Sequence, residues 1–177
     1  MKKHLARFSV LILLSWGEPC FPAEPVKVLV LPFQIHAGSE LDYLKLSLSE
    51  MLSTRLVSRR KITILEDPRI EKVAEEQKGP NALKAARDLG RTLGAEWLII
   101  GSFTKIGESL SFDALLINLN SEVRQETAFV EGRGVDNIIP KITELARSIH
   151  AKLVGEPLST GKGVESQSSR RSGTTSG

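Results

Sequence analysis

The sequence predicts an α+β domain, a mixed β-sheet with helices packed on it in the order β α β α α β β β α. Three observations carry that reading. Residues 26–33 (VKVLVLPF) form a nearly continuous apolar run rich in valine, which suits a strand covered on both faces. Leu41, Leu44, Leu48, Leu52 and Leu56 recur along one helical face. From Ala95 the spacing turns extended, with WLIIGSF and SLSFDALLINL on either side of Ile106, Gly107 and Glu108, a β-hairpin pattern. Helices interleaved with strands early in the chain allow a parallel crossover there, whereas the consecutive late strands form a meander.

Taken in order, the first run is expected to be a central strand ending at Pro32 and Phe33. Ser39 with Asp42 three residues on is a capping-box-like start for the leucine-lined helix. Residues 61–65 (KITIL) are short and β-branched, hence a second strand. Asp67 followed by Pro68 reads as the N-cap and first residue of a helix of about two turns through Ile70, Val73 and Ala74. Asn81 caps the next helix, which carries Leu83, Ala86, Leu89 and Leu93 and stops at Gly94. Gly90 weakens that helix but permits a close approach to the sheet. In the hairpin, Gly101 and the break at Gly107 serve the fold. Its second strand sends Leu110, Phe112, Ala114 and Leu116 one way and Ser111 and Asp113 the other, so its first half has a wetter face. Residues 123–132, polar and charged around Ala128, Phe129 and Val130, suit an edge strand. Asp136 caps a last helix with Ile138, Ile142, Leu145, Ile149 and Leu153 on one face, and Pro140 falls in its first turn.

An export signal stands ahead of this domain. Lys2, Lys3 and Arg7, an apolar run over residues 8–16 and a short polar stretch ending at Ala23 are the three parts of a secretory signal peptide. The run is far shorter than the about 20 apolar residues of a spanning helix. Pro19, Pro22 and Pro25 prevent its extension. Cleavage after Ala23 is expected, although Phe21 is bulky where a small residue is preferred. Residues 24–154 then form the domain and 155–177 a polar tail, delivered to the periplasm or the exterior with no membrane span. A rival is a lipoprotein anchored through Cys20, but Gly17, Glu18 and Pro19 do not make the Leu, small residue and Gly or Ala that such a site wants before its cysteine.

Composition excludes several function classes. The 177 residues include 24 Lys+Arg and 21 Asp+Glu. Removal of Lys2, Lys3, Arg7 and Glu18 with the signal leaves 21 basic and 20 acidic residues, a balance that carries no nucleic-acid footprint. Cys20 is the single cysteine and departs too, so disulfides, a thiol nucleophile and cysteine metal sites are excluded from the domain. The tail, rich in Ser, Gly, Thr, Lys and Arg, is expected to be disordered.

Motifs for chemistry are sparse, and no cofactor is implied. His36 and His150 lie in different elements without further ligand residues, and each reads as solvated. Ser102 follows Gly101 at a strand but lacks the Gly-x-Ser-x-Gly elbow. Residues 155–163 (GEPLSTGKG) have one residue too many for a phosphate loop and Gly163 where Ser or Thr would hold magnesium. Gly132, Arg133 and Gly134 have no Rossmann strand-turn-helix around them. Glu50, Glu75, Glu76, Asp88 and Glu144 fall on polar helix faces. Asp113, inside a strand beside large apolar residues, is the least comfortable carboxylate.

As a whole, the pattern resembles the TolB N-terminal-domain group of envelope domains, with the related domains of CsgG, LpoB and FlgO. The resemblance rests on VLVLPF ending in Pro32 and Phe33, on YLKLSLSEMLSTRL, on KITILED, and above all on LGAEWLIIGSFTKIGESLSFDALLINLNS with Gly94, Ala95, Gly101 and Ser102. It covers residues 26–153. It implies an anticodon-binding-domain-like α/β layer and a non-catalytic domain that recognises another envelope protein. CsgG-like pores use a lipidated cysteine and inserted membrane hairpins, which these residues do not show, so no pore is implied. The LpoB-like side of the resemblance implies an alternative, an accessory activator of cell-wall synthesis. A small hydrolase using Asp113 or Ser102 is a third reading.

The expectation is therefore a periplasmic interaction module that binds envelope proteins, with homo-oligomers open to it. Contacts are expected on the edge strand at Arg124, Glu126 and Ala128, and after the first strand at Gln34 and His36.

Overall fold

The computed structural model describes residues 24–59, 61–75, 81–121 and 125–155. The expected signal with Cys20 and Ala23, Glu76, Arg124 and the tail beyond Gly155 lie outside the described residues. The elements are β1 (Val26–Val30), β2 (Gln34–His36), α1 (Leu44–Val57), β3 (Ile62–Ile64), α2 (Arg69–Glu75), α3 (Ala82–Thr92), β4 (Trp97–Ile106), β5 (Ser109–Asn118), β6 (Gln125–Arg133) and α4 (Ile138–Val154). They build the α+β layer expected from the sequence. The sheet runs β3-β1-β4-β5-β6, with β2 beside β4. β1 is parallel to β3 and β4, and β4, β5 and β6 form the antiparallel meander.

The apolar run 26–33 is central, but it is not one strand. Val30 stands opposite Ile99 and Gln34 opposite Ser102, so this side of the ladder holds one residue more than β4 between those pairs. The surplus makes a bulge at residues 31–33. Pro32 fits there because it has no N–H to leave unpaired. The Phe33 N–H is instead satisfied by the Lys45 carbonyl, 3.2 Å away at the start of α1. The bulge turns the Phe33 ring into the core over Gly101, where a Cβ would come within 2.5 Å of ring carbons.

Helix starts also differ from expectation. Ser39 lies in a 3-10 turn and forms no side-chain cap, and α1 begins only at Leu44. The turn swings Leu41 inward to join Leu44, Leu48, Leu52 and Leu56 in the core. Asn81 occupies the N-cap position of α3 without a side-chain bond. Leu83 is exposed, because α3 presents Ala82, Ala86, Leu89 and Gly90 to the interior. Gly90 sets that rotation: a Cβ there would meet the Leu119 Cδ1 at 2.6 Å. Asp136 sits within a 3-10 turn rather than capping α4, and Asn137 at the N-cap donates its side-chain amide to the Arg133 carbonyl. Asp67 does cap α2, accepting the Arg69 N–H at 2.9 Å.

Two cores result, one on each side of the sheet. On the first face α1 and α4 cover Val28, Val30, Phe33, Ile99, Phe103, Phe112 and Leu116. Phe103 and Phe112 contact each other with centroids 4.8 Å apart. Arg55 on α1 donates to the Thr143 hydroxyl on α4 at 2.7 Å. α4 is covered over a wide stripe because it meets both the sheet and α1. His150 is accordingly buried rather than solvated, while His36 is exposed. On the second face Ala86 and Leu89 of α3 pack with Leu29, Leu31, Leu98, Ile117 and Leu119, and α2 adds Ile70 and Val73.

Candidate partner-binding face

The second core occupies only part of its face. It uses β1, the start of β4 and the end of β5; farther along these strands the described helices add no side chain to that core, and the end of α2 reaches only the β2 margin, where Ala74 and Glu75 share a cavity wall with Gln34 and His36. Strand alternation fixes what points out there. Since Phe103 and Phe112 face the first core as an opposed pair, Ser102, Thr104 and Ile106 on β4 and Ser109, Ser111 and Asp113 on β5 face the other way. The β5–β6 register adds Thr127, Phe129, Glu131 and Arg133. The β2–β4 register adds Gln34 and His36.

These side chains stand in rows across four strands. Gln34, Ser102, Asp113 and Phe129 form one row, each opposite the next. His36, Thr104, Ser111 and Glu131 form the second. Ile106, Ser109 and Arg133 end the face beside the tight turn at Gly107 and Glu108. Gly107 takes the first turn position with a φ of +59°, a conformation open to glycine at little expense. The result is a shallow polar platform with two depressions, one around Ser102, Asp113 and Phe129 and one around Thr104, Ser111 and Glu131. Two large apolar side chains stand on it, Phe129 at 66% exposure and Ile106 at 75%. Of its side chains, Phe129 and Arg133 are of the types enriched where proteins meet, and the hydroxyls and carboxylates around them are of the types found at a polar rim.

β6 is the terminal strand of the described sheet, and its ladder has a definite phase. The Gly134 N–H donates to the Glu108 carbonyl at 2.9 Å, and the Leu119 N–H to the Glu96 carbonyl at 2.8 Å. Carried along the two antiparallel ladders, these bonds turn the N–H and C=O of Ala128, Val130 and Gly132 toward β5. Those of Thr127, Phe129 and Glu131 point to the open edge.

The sequence-derived contact residues are distributed unevenly. Gln34 and His36 lie on the platform. Glu126 and Ala128 are on β6 but face the α4 side, where Glu126 lies 3.7 Å from the Lys152 ammonium and Ala128 is 3% exposed. The side chains that β6 offers are those of Thr127, Phe129 and Glu131. The signal that finds them is the opposition of Ala128 to Ala114, two small residues beneath α4, which leaves the larger phenylalanine outside.

Ser102 and Asp113 do come face to face across β4 and β5. The Ser111 hydroxyl donates to the Asp113 carboxylate at 2.9 Å, whereas Ser102 makes no side-chain hydrogen bond among the described residues. No hydrogen bond links the Ser102 hydroxyl to the Asp113 carboxylate opposite it, so the two are not joined as nucleophile and base. Among the described residues no group of three His, Cys, Asp or Glu side chains could hold a metal ion. No described helix is long and apolar enough to cross a membrane.

The fold is similar to that of part of TolB. TolB from Acinetobacter baumannii superposes with a TM-score of 0.51 at 14% identity, over 76% of this chain and 29% of that one. The C-terminal domain of LpoB from Salmonella enterica gives a TM-score of 0.46 at 15% identity, over 62% and 84%. A PelC dodecamer from Paraburkholderia phytofirmans gives 0.46 at 12% identity, over 75% and 91%. No protein-family model matches the chain, and no curated protein matches it by sequence.

Proposed function

We infer that the protein is a non-catalytic interaction module of the cell envelope, exported by a signal cleaved after Ala23 and working in the periplasm. Residues 24–154 are the working unit. One observation supports the reading: part of one sheet face carries no helix among the described residues and bears hydroxyls, carboxylates and Phe129 in ordered rows. The partner is an envelope protein that lies over the rows from Gln34 to Phe129 and from His36 to Glu131. Whether the process is assembly, export or wall synthesis follows from that partner's identity.

The test is affinity capture from envelope extracts, comparing the wild type with Ser102→Arg and Asp113→Arg. Both residues lie on the platform and outside either core, so circular dichroism should be unchanged. Capture of the wild-type partner should fall at least tenfold, while Lys84→Ala on α3 retains it. Capture unaffected by both platform variants would sink the assignment of the face. Hydrolytic turnover lost on Ser102→Ala would overturn the non-catalytic reading itself.

A further inference from the structure

The open edge of β6 is complementary to itself. We propose that two copies of this chain pair through β6, antiparallel and centred on Phe129, joining their sheets and their platforms into one surface. This goes beyond the interaction reading above and does not depend on it.

The phase of the ladder makes the pairing possible. Thr127, Phe129 and Glu131 already direct N–H and C=O groups outward, in the row that a second strand requires. Phe129 is the middle residue of Gln125–Arg133, so a two-fold axis there overlaps the whole strand. The axis sets Phe129 against Phe129 of the second copy, sheltering two rings that are each 66% exposed in the single chain. It also sets Thr127 against Glu131 and Gln125 against Arg133, so no two like charges meet. Centring on Glu131 instead would oppose two carboxylates.

The α4 side of the strand agrees. The same axis brings Glu126 opposite Gly132 of the second copy. Gly132 is overlain by the Lys141 chain, whose Cγ would lie 3.2 Å from a Cβ added there. Glu126 already has Lys152 of its own copy at 3.7 Å, and Lys141 of the second copy is bonded to its own Glu144 at 2.8 Å, so both charges on this side are paired before the strands meet. Edge strands usually carry charges that repel another edge. Here the charges on β6 are placed so that each meets a neutral residue or its opposite.

The experiment is sedimentation equilibrium of the exported chain over a hundredfold concentration range, with circular dichroism as the check on fold. Wild type should move from monomer to dimer as concentration rises. Thr127→Pro and Glu131→Pro each remove an outward N–H and leave the β5 ladder bonded, so both should stay monomeric with an unchanged fold. In a Cys20→Ser background, Phe129→Cys should form a dimer-linking disulfide on mild oxidation, whereas Ile106→Cys, on the same face at the far end of β4, should not. A monomer at every wild-type concentration, or a dimer that survives both proline variants, would overturn the proposal. A dimer whose Ile106→Cys links as readily as Phe129→Cys would overturn the register. Because no partner protein enters this test, failure to find one leaves its result intact.

Discussion

Gly101→Ala is the sharpest probe of how the bulge at Pro32 and Phe33 is held. An alanine methyl at that position would lie 2.5 Å from two carbons of the Phe33 ring. Carbon atoms at ease are about 3.5–4.0 Å apart, so ring or strand must move by roughly 1 Å. The ring has nowhere to go: Phe33 is fully buried, and its N–H is tied to the Lys45 carbonyl. Overpacking of this kind costs about 1–3 kcal/mol. Against it stands the about 0.5–1 kcal/mol that alanine gains over glycine by restricting the unfolded chain. The expected net loss is about 1–2 kcal/mol. The assay is urea unfolding followed by the fluorescence of Trp97, which is 5% exposed in the folded chain. In a Phe33→Leu background the clash disappears, and Gly101→Ala should be neutral or slightly stabilising. The gain of alanine over glycine is common to both backgrounds and cancels, so the coupling between the two sites should equal the overpacking cost, about 1–3 kcal/mol, within the range for residues in contact. Equal effects in both backgrounds would show that Gly101 is not there for the ring, and the account of the bulge would fail.

The remaining expectations concern other joints of the fold. Ala128→Pro removes an N–H that faces β5 and should lower the melting temperature by several degrees more than Thr127→Pro, whose N–H faces outward; thermal denaturation of the two variants checks the assigned ladder phase. A double-mutant cycle on Arg55→Ala and Thr143→Ala should give a coupling of about 0.5–1.5 kcal/mol from chemical unfolding, the contribution of one hydrogen bond joining α1 to α4. Asp67 is held at a pKa of about 2 instead of 3.8, first by the hydrogen bond from the Arg69 side chain and then by the one from its N–H. Its folded pKa is depressed, so the stability it contributes is complete above 3.8 and is lost as pH falls through about 2. Asp67→Asn should therefore unfold with a flatter pH dependence across that window.

The leucine face of α1 and the wet face of β5 are readable in the sequence because each follows from a repeat of 3.6 or 2 residues, and the edge position of β6 from its polar composition. What such patterns miss are places where two elements meet. The split of residues 26–33 depends on an extra residue relative to β4, which no pattern within the run announces. The outward turn of Leu83 depends on Gly90 pressing against Leu119, far away in sequence. His150 reads as polar and solvated until α4 is seen to be covered by both the sheet and α1.

The platform shows most clearly how local and distant information combine. Alternation says that Ala128 and Phe129 face opposite ways, but not which one faces α4. The tight turn at Gly107 and Glu108 decides. It pairs Ile106 with Ser109, which brings Phe112 opposite Phe103, and the β5–β6 register then fixes Val130 and Ala128 on that same core side. The same registers put Asp113 beside Phe129 and point the Phe129 N–H to the open edge. A one-residue slip between β4 and β5 would turn Leu110 and Phe112 out of the first core onto the platform face and displace Ile117 from the second, so burial of those side chains is what enforces the register. The outward position of Phe129 is therefore a consequence of core packing on the opposite face. The outer face is thus set by the core, while Ser102, Asp113, Thr127 and Phe129 themselves stand outside both core clusters.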